Sequence, residues 1–304
     1  MFSWPDPGTR VTVRYRRPKG SVPPLTDAVG HLLAVDPAVR VRTKTGAVVE
    51  FARADVVALR VLTDTPIRTS QIRALEHAAA AACPGAERTW LDGWLLRAGH
   101  GVGLAANSAL PLDLSAQLSS VAAITEWYRR RGLTPRLAVP DRLLALPPGW
   151  TDERTERVVV RDVSEMADRE ADPSVTFSPR PHDAWLRVFG REIPVDVLTA
   201  VVDGELMFGA YRNATVARAA VTDAPDGARW VGISAVRFAD DRADDQAAAA
   251  LGSALLAWGA DRGATSAYLS VPGTGATALA DALDFRLHHR RRYVQAPPGR
   301  WDSV

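Results

Sequence analysis

The chain has 304 residues, of which 47% are hydrophobic and 24% charged, a composition typical of a globular protein with room for two or three domains. A formal net charge of +2 does not by itself indicate a nucleic-acid-binding protein, and without an apolar run of about 18 residues we expect no membrane-spanning helix. The single cysteine, Cys83, excludes an intrachain disulfide and a zinc site built on cysteines, and with no signal peptide visible in MFSWPDPGTR we expect a reducing, cytoplasmic location.

Residues 9 to 62 are expected to form five short strands, because apolar and polar residues alternate between turns rich in Pro, Gly and Asp. The predicted strands are TRVTVRYR, LTDAVGHLLAV, AVRVRTK, AVVEF and DVVALRVL. Such strands are typical of a small SH3-like or Tudor-like β-barrel, which we assign to residues 1–62. TDTP, at residues 63–66, is the expected linker.

Residues 67–150 predict a mixed unit in the order α-β-β-α-β. The first helix, TSQIRALEHAAAAA, is expected to be capped by Thr69 or Ser70 and to end before Pro84. RTWLDGWLLRAG and GVGLAANSALPLD are predicted to be two strands joined by a glycine-rich turn. SAQLSSVAAITEWYRRRG is predicted to be an amphipathic helix and PRLAVP a further strand.

Residues 151–304 begin with TDERTERVVV, read as a charged connector leading into a strand, and continue with DREADPSVTFSPRP, which is expected to be irregular. The predicted elements after these are helix HDAWLRVFGRE, strands ELMFGAY, TVARAAV and ARWVGISAVRF, helix QAAAALGSALLAWGADRGA, strand ATSAYLSV, helix TGATALADAL and strand FRLHHRRRYV. The chain is therefore predicted to be α+β, with a small barrel followed by two α/β units and a central mixed, mostly antiparallel sheet.

The C-terminal segment resembles the GNAT superfamily of acyl-CoA-dependent N-acetyltransferases. The middle segment, ERTWLDGWLLRAG…LAANSALPLD, is similar to the non-catalytic first half of two-domain GNAT proteins, in which a DGWLLR…NS pattern recurs. The whole chain is similar to bacterial GNAT proteins that carry a small Tudor-like barrel in front. The resemblance implies a barrel at 1–62, a non-catalytic half at 67–150 and, at 151–304, a domain that uses acetyl-CoA to acetylate an amine of a small molecule or a protein.

The resemblance also implies a site for acetyl-CoA. In the family, a loop of pattern [RQ]-x-x-G-x-[GA] opens a helix whose free N–H groups bind the diphosphate. AAAALG falls on this pattern, and the preceding strand WVGISAVRF is expected to bulge and to part from its parallel neighbour beside the pantetheine arm. The implied cofactor-binding residues are Val236, Arg237, Phe238, Ala247, Ala248, Ala249, Ala250, Gly252 and Ser253. The alternative interpretation is an ordinary amphipathic helix and a plain central strand.

The catalytic residues are not identified by the sequence. In the family pattern N-x-x-A-x-x-L-Y-x-x-L-G-F, whose tyrosine protonates the departing thiolate in many relatives, Ala280 stands at the tyrosine position, while Ala276, Leu279, Leu283 and Phe285 match. A carboxylate is needed to accept a proton from the amine, and the candidates are Glu192, Asp203 and Glu205, each of which is alternatively a solvated surface residue. The loss of the tyrosine leaves a non-catalytic, CoA-binding regulatory protein as an alternative function.

Two basic segments have alternative interpretations. The first basic segment forms either a surface that binds nucleic acid or an acidic peptide, which would make the barrel an adaptor, or a charged edge that faces solvent. Its basic residues are Arg10, Arg14, Arg16, Arg17 and Lys19. HHRRR, at residues 288–292, is read as alternation along an exposed strand rather than a metal site, so no metal is predicted. A homo-oligomer is compatible with the sequence.

Overall fold

The structure, a computed structural model, describes residues 4–5, 9–43, 45–62, 67–167, 172–190, 193–239, 245–271 and 274–295. It divides into two compact units, Met1–Ile67 and Arg68–Val304. Within the described ranges, no helix combines the length and the apolar character needed to span a membrane. The predicted TDTP linker lies outside these ranges.

The first unit is a five-stranded antiparallel sheet with the strand order β4-β3-β2-β1-β5. Its strands are β1 (Arg10–Arg16), β2 (Leu25–Ala34), β3 (Val39–Thr43), β4 (Val48–Phe51) and β5 (Val56–Val61). Alternate residues such as Val11, Val13 and Val41 are fully buried in its core, which is the burial that the alternating pattern predicts. The five predicted strands are therefore confirmed.

The second unit contains a three-stranded sheet, β6-β7-β8, and an eight-stranded mixed sheet with the order β11-β12-β13-β14-β15-β10-β16-β9. Its strands are β6 (Glu87–Leu91), β7 (Trp94–Ala98), β8 (Leu110–Pro111), β9 (Leu137–Pro140), β10 (Thr151–Asp162), β11 (Val175–Ser178), β12 (Glu205–Tyr211), β13 (Thr215–Asp223), β14 (Arg229–Phe238), β15 (Ser266–Val271) and β16 (Arg286–Gln295). Its helices are α1 (Thr69–Ala82), α2 (Val121–Arg129), α3 (Asp183–Phe189), α4 (Val195–Leu198), α5 (Asp245–Ala260) and α6 (Thr274–Ala282).

The two faces of the eight-stranded sheet are covered by different helices. Val231 and Ile233 of β14 pack in one core with α5 and α6. Tyr268 of β15 packs on the opposite face with Leu75 and Ala82 of α1. Because side chains alternate along a strand, each strand presents every second residue to α1 and the others to α5. This separation decides which residues can meet in one site.

Strand β10 lies in the interior of this sheet, third from the β9 edge, where the sequence predicted a charged connector leading into a strand. It pairs with β15 on one side and with β16 on the other, and its register places Glu156 opposite Arg291. Its charged residues are divided between a buried position, Glu156, and exposed positions such as Asp152 and Arg157. The predicted irregular segment contains β11, which pairs with β12 at the sheet edge.

The boundary predicted at residue 150 does not divide the structure. Strand β9, from the predicted middle unit, pairs with β16 at the edge of the eight-stranded sheet. Residues Arg68–Val304 are accordingly one compact unit.

The segment RTWLDGWLLRAG forms a hairpin and not the single strand that we predicted. β6 and β7 are joined by Asp92 and Gly93, with φ angles of 45° and 83°. Positive φ at both central residues is typical of the tight turns that the Asp-Gly pair favours. The first helix also departs from the prediction at its start, because Arg68 is the N-cap and its N–H donates to the side chain of Gln71 over 2.8 Å.

Strand β16 is buried at His289 and Arg291, so the predicted exposed strand is wrong. Both side chains contact Glu76 of α1, with distances of 2.6 Å from His289 Nε2 to Oε1 and 2.8 Å from Arg291 Nη2 to Oε1. The alternation that we recognised in the sequence therefore directs one histidine and one arginine to a buried carboxylate. This buried cluster joins the first helix of the unit to its last strand.

Candidate active site

The parallel strands β14 and β15 pair over only part of their length. Their paired positions run from Trp230 opposite Ser266 to Ile233 opposite Leu269, and β14 then continues to Phe238 without this neighbour. Since a parallel ladder holds neighbouring strands about 4.8 Å apart, the end of the ladder marks the point where they part.

A bulge lies immediately after this point. On the other side of β14, Ser234 pairs with Arg218 and Arg237 pairs with Val216, so two residues of β14 oppose the single Ala217 of β13. One of these two, Ala235, has a φ of 55°, a left-handed conformation that bends the strand. The predicted bulge and parting of WVGISAVRF are therefore present.

A cleft of about 530 Å³ opens where the strands part. This volume lies within the range of small-molecule sites, which is roughly 300–1,000 Å³. Strands β14 and β15 line one side, and α1 and residues 102–106 line the other. The segment that we predicted to be a non-catalytic half thus supplies one wall of the cleft.

The DGWLLR…NS pattern builds that wall. Arg97 is buried, and its guanidinium donates to Cys83 O over 3.1 Å and to Ser108 Oγ over 3.2 Å. Asn107 accepts hydrogen bonds from the N–H groups of Gly99 and Gly101 and donates to the carbonyls of residues 102 and 103. The pattern therefore closes a loop against β7 and places Arg97 at the cleft.

A second buried guanidinium, that of Arg218, also contacts the C-terminus of α1 and lines the cleft. It donates to Ala82 O over 2.8 Å, to Leu198 O over 2.8 Å and to Ala200 O over 2.9 Å. These carbonyls end α1 and α4, where helix dipoles favour a cation. Burial lowers the pKa of Arg218 from its ordinary value, although a guanidinium stays charged at neutral pH.

Two carboxylates, those of Glu76 and Glu156, line the cleft within the described residues. Burial alone would raise the pKa of Glu76, but Arg291 and His289 outweigh it and lower the pKa to about 2. Glu156 is buried in β10 and contacts Arg154 Nη2 over 2.6 Å. Glu76 therefore stays ionised and fully paired, and Glu156 is the carboxylate next to the parted strands.

Tyr268 brings a phenol into the cleft from β15. Its ring lies over Gly232, and its hydroxyl makes no hydrogen bond within the part of the chain that the structure describes. Burial raises the pKa of Tyr268 well above its ordinary value, so the hydroxyl keeps its proton.

The predicted cofactor residues are divided between the cleft and the core. Val236 and Arg237 line the cleft, whereas Phe238 packs against the core beneath α5. In α5, Ala247 and Ala248 are buried in that core, Ala249 and Ala250 pack against it, Ser253 is half-buried, and none of these lines the cleft. Diphosphate binding at the start of α5 therefore stays a prediction.

Gly252 serves a packing role in the structure. A Cβ atom there would lie 2.5 Å from Leu279 Cδ1 and 2.5 Å from Leu283 Cδ1, so the glycine lets α5 approach α6. A glycine at this position allows close approach either to an anion or to a second helix, because both need the side chain to be absent. The sequence pattern indicated the anion, whereas the structure shows the helix.

We expect Gly252→Asp to destabilise the protein. The larger side chain must displace two buried leucines and bury a charge, and overpacking alone costs about 1–3 kcal/mol. Thermal unfolding of this variant should be compared with that of Gln246→Asp, an exposed position of the same helix. An unchanged midpoint for Gly252→Asp would show that α5 and α6 do not need this contact.

Two of the three predicted proton acceptors, Asp203 and Glu205, lie away from the cleft. Glu205 is exposed and pairs with Arg262 over 2.9 Å, and Asp203 is exposed in a turn with a φ of 47°. Glu192 lies outside the described residues. Sequence reasoning missed Glu156, for which the available signal was its position two residues before Val158, on the same face of the strand as that buried residue.

Helix α6 contains the position at which the family pattern has its tyrosine. Ala276 lines the cleft, as its match to the family pattern implies, whereas Ala280 is buried in the core. Tyr268 is thus the tyrosine that lines the cleft among the described residues. No group of three or more His, Cys, Asp and Glu side chains in the described ranges is placed to hold a metal ion.

The chain matches two protein-family models. Residues 69–294 match "Probable histone acetyltransferase Rv0428c C-terminal", and residues 5–60 match "Rv0428c N-terminal Sm-like domain". The "Probable histone acetyltransferase Rv0428c" of Mycobacterium tuberculosis (strain ATCC 25618 / H37Rv) is 62% identical over 304 residues, which is 100% of both chains. The chain belongs to the Rv0428c acetyltransferase family.

The fold of this Rv0428c-family protein is similar to that of a GCN5-related N-acetyltransferase from Kribbella flavida. The TM-score is 0.51 at 15% identity, over 78% of this chain and 98% of the other. This likeness confirms the predicted GNAT fold, and membership of the Rv0428c family shows that the protein is an acyltransferase. The predicted SH3-like or Tudor-like barrel is compatible with the Sm-like domain of the family.

Proposed function

We propose that the protein transfers an acetyl group from acetyl-CoA to an amine within the cleft where β14 and β15 part. The observation that carries this proposal is the end of the parallel ladder at Ile233 and Leu269, followed by the bulge at Ala235. The M. tuberculosis relative is named for an acetyltransferase that acts on histones, so a protein amine and a small amine are both candidate acceptors.

The parted strands fit the pantetheine arm of acetyl-CoA. Beyond Ile233, the edge of β14 that faced β15 has no strand partner within the described residues. The amides of the arm would pair with this edge as an added strand does, and the small side chain of Ala276 leaves room beside it. Bound acetyl-CoA supplies the acyl group as a thioester.

The residues of the cleft account for the remaining chemistry. An amine with a pKa near 10.4 is mostly protonated at neutral pH, so a base must remove a proton before attack. Glu156 is the carboxylate placed to accept that proton, directly or through a water molecule. Backbone N–H groups of the parted β14 edge are available to polarise the thioester carbonyl.

We expect Ala276→Phe to weaken acetyl-CoA binding at least about tenfold, because the ring would occupy the space between the parted strands. The affinity is measured by calorimetric titration of each variant with acetyl-CoA. Ala282→Phe is the matched control, since Ala282 lies exposed on the same helix. Equal affinities of the two variants would contradict the proposed donor position.

A further inference from the structure

We propose that the acceptor carries an anionic group, a carboxylate or a phosphate, close to its amine, and that Arg97, Arg218 and Tyr268 bind this group. The inference rests on the proposed acetyl transfer and names the class of acceptor. It follows from three side chains that line the cleft near α1.

The first support is the charge of the cleft wall. Glu76 is paired with Arg291 and His289, and Glu156 is paired with Arg154. The two carboxylates are thus already neutralised by side chains outside the proposed set. Any further cation that lines the cleft needs another source of negative charge.

Arg97 and Arg218 are such cations. Arg97 is 4% and Arg218 is 5% exposed, and every hydrogen bond of their guanidinium groups goes to a neutral oxygen within the described residues. Buried charges are normally paired with opposite charges. The carbonyls at the ends of α1 and α4 supply only about half a unit of negative charge for each helix, which does not balance two guanidinium groups.

The second support is the supply of unused donors. A guanidinium has five N–H groups, and Arg97 uses three of them while Arg218 makes four hydrogen bonds. The hydroxyl of Tyr268 is buried, keeps its proton and has no partner in the described part of the chain. These donors would satisfy the several oxygens of a carboxylate or a phosphate.

The third support is position relative to the donor. Arg218 Nη1 donates to Ser234 Oγ over 3.3 Å, and Ser234 is the first residue of β14 beyond the paired segment. An anion held by Arg218 would therefore lie beside the point where the strands part. The start of α5 is on the other face of the sheet, so the diphosphate predicted there does not supply this anion.

The test compares amines that differ only in the anionic group. The pairs are 4-aminobutyrate with 4-aminobutanamide, and O-phosphoethanolamine with ethanolamine, and CoA release is followed at saturating acetyl-CoA. We expect kcat/KM to be at least about tenfold higher for the charged member of one pair, and the preferred pair distinguishes a carboxylate from a phosphate site. Faster acetylation of the neutral members, or of a lysine-rich peptide, would overturn the proposal.

Tyr268→Phe isolates the binding of the anion from the stability of the protein. The hydroxyl has no partner to lose, so we expect an unchanged unfolding midpoint together with a loss of about tenfold in the preference for the charged amine. Tyr211→Phe is the control, because Tyr211 is a buried tyrosine outside the cleft. An equal loss of kcat for charged and neutral amines would show instead that Tyr268 donates a proton to the thiolate.

A binding measurement separates this inference from the acetyl-transfer proposal. Cys83 is the single cysteine and lines the cleft, so its alkylation by iodoacetamide reports occupancy. We expect 4-aminobutyrate or O-phosphoethanolamine to slow alkylation of the wild-type protein more than that of Tyr268→Phe. If the anions protect Cys83 but no amine is acetylated, the acetyl-transfer proposal is refuted and this inference is not. If neither anion protects Cys83, this inference is refuted.

Discussion

Replacing Glu76 with alanine is expected to lower the free energy of unfolding by about 3–5 kcal/mol, because removal of one partner leaves buried charges uncompensated. Glu76 contacts His289 and Arg291 at 2.6 and 2.8 Å, and all three side chains are buried. Chemical denaturation of the wild type and the variant measures this difference. The matched control is Glu87→Ala, since Glu87 forms an exposed pair with Arg131 and such pairs contribute at most about 1 kcal/mol.

The same carboxylate predicts how stability changes with pH. The pKa of Glu76 is lowered to about 2 in the folded protein, against an ordinary value of 4.5. The protein therefore gains stability from this ionised group above pH 4.5 and loses it as the pH falls toward 2, by about 3 kcal/mol in total. Between pH 5 and pH 3, Glu76→Gln should lose less stability than the wild type. Parallel curves for the two proteins would contradict the assigned pKa.

The second large effect is expected at Glu156. If Glu156 accepts the proton of the amine, Glu156→Gln should lower kcat by about 100-fold or more while acetyl-CoA affinity stays close to that of the wild type. The amide preserves the shape of the side chain but has no charge and little basicity. Steady-state rates and calorimetric titration with acetyl-CoA give the two quantities separately.

Glu205→Gln distinguishes the two candidate carboxylates. Glu205 is exposed and pairs with Arg262 away from the cleft, so its replacement should reduce kcat by less than about twofold. A large loss at Glu205 and a small loss at Glu156 would instead support Glu205, one of the three carboxylates that the sequence offered as candidates. A large loss at Glu156 alone would support the geometry of the cleft.

The order of helices and strands along the C-terminal segment was predictable, because each element has a periodicity that can be recognised within a few neighbouring residues. WVGISAVRF, the helix after it and ATSAYLSV carry clear periodicities, and the GNAT resemblance implied that the two strands part. In the structure, the two strands part after Ile233, and β14 has the expected bulge at Ala235. The resemblance also indicated Val236 and Arg237, which line the cleft.

The α1 side of the cleft was not predictable from local patterns. Glu76 and Arg291 are 215 positions apart in sequence, and no periodicity reports a contact across that distance. Glu156 looked like part of a charged connector because its pairing with β16 is equally non-local. Gly252 shows that a local pattern can also mislead. Its glycine suggested anion binding in the sequence, but in the structure it allows two helices to lie in close contact.

The cluster formed by Glu76, His289 and Arg291 has a consequence for the order in which a nascent chain can mature. Helix α1 is synthesised before the partners of its buried carboxylate, because His289 and Arg291 lie in strand β16, 213 and 215 positions after Glu76. The N-terminal five-stranded sheet has all its pairings within residues 10–61 and is complete long before that. Translation should therefore yield a folded N-terminal module first, followed by a second module that acquires its tertiary structure only after strand β16 has been synthesised.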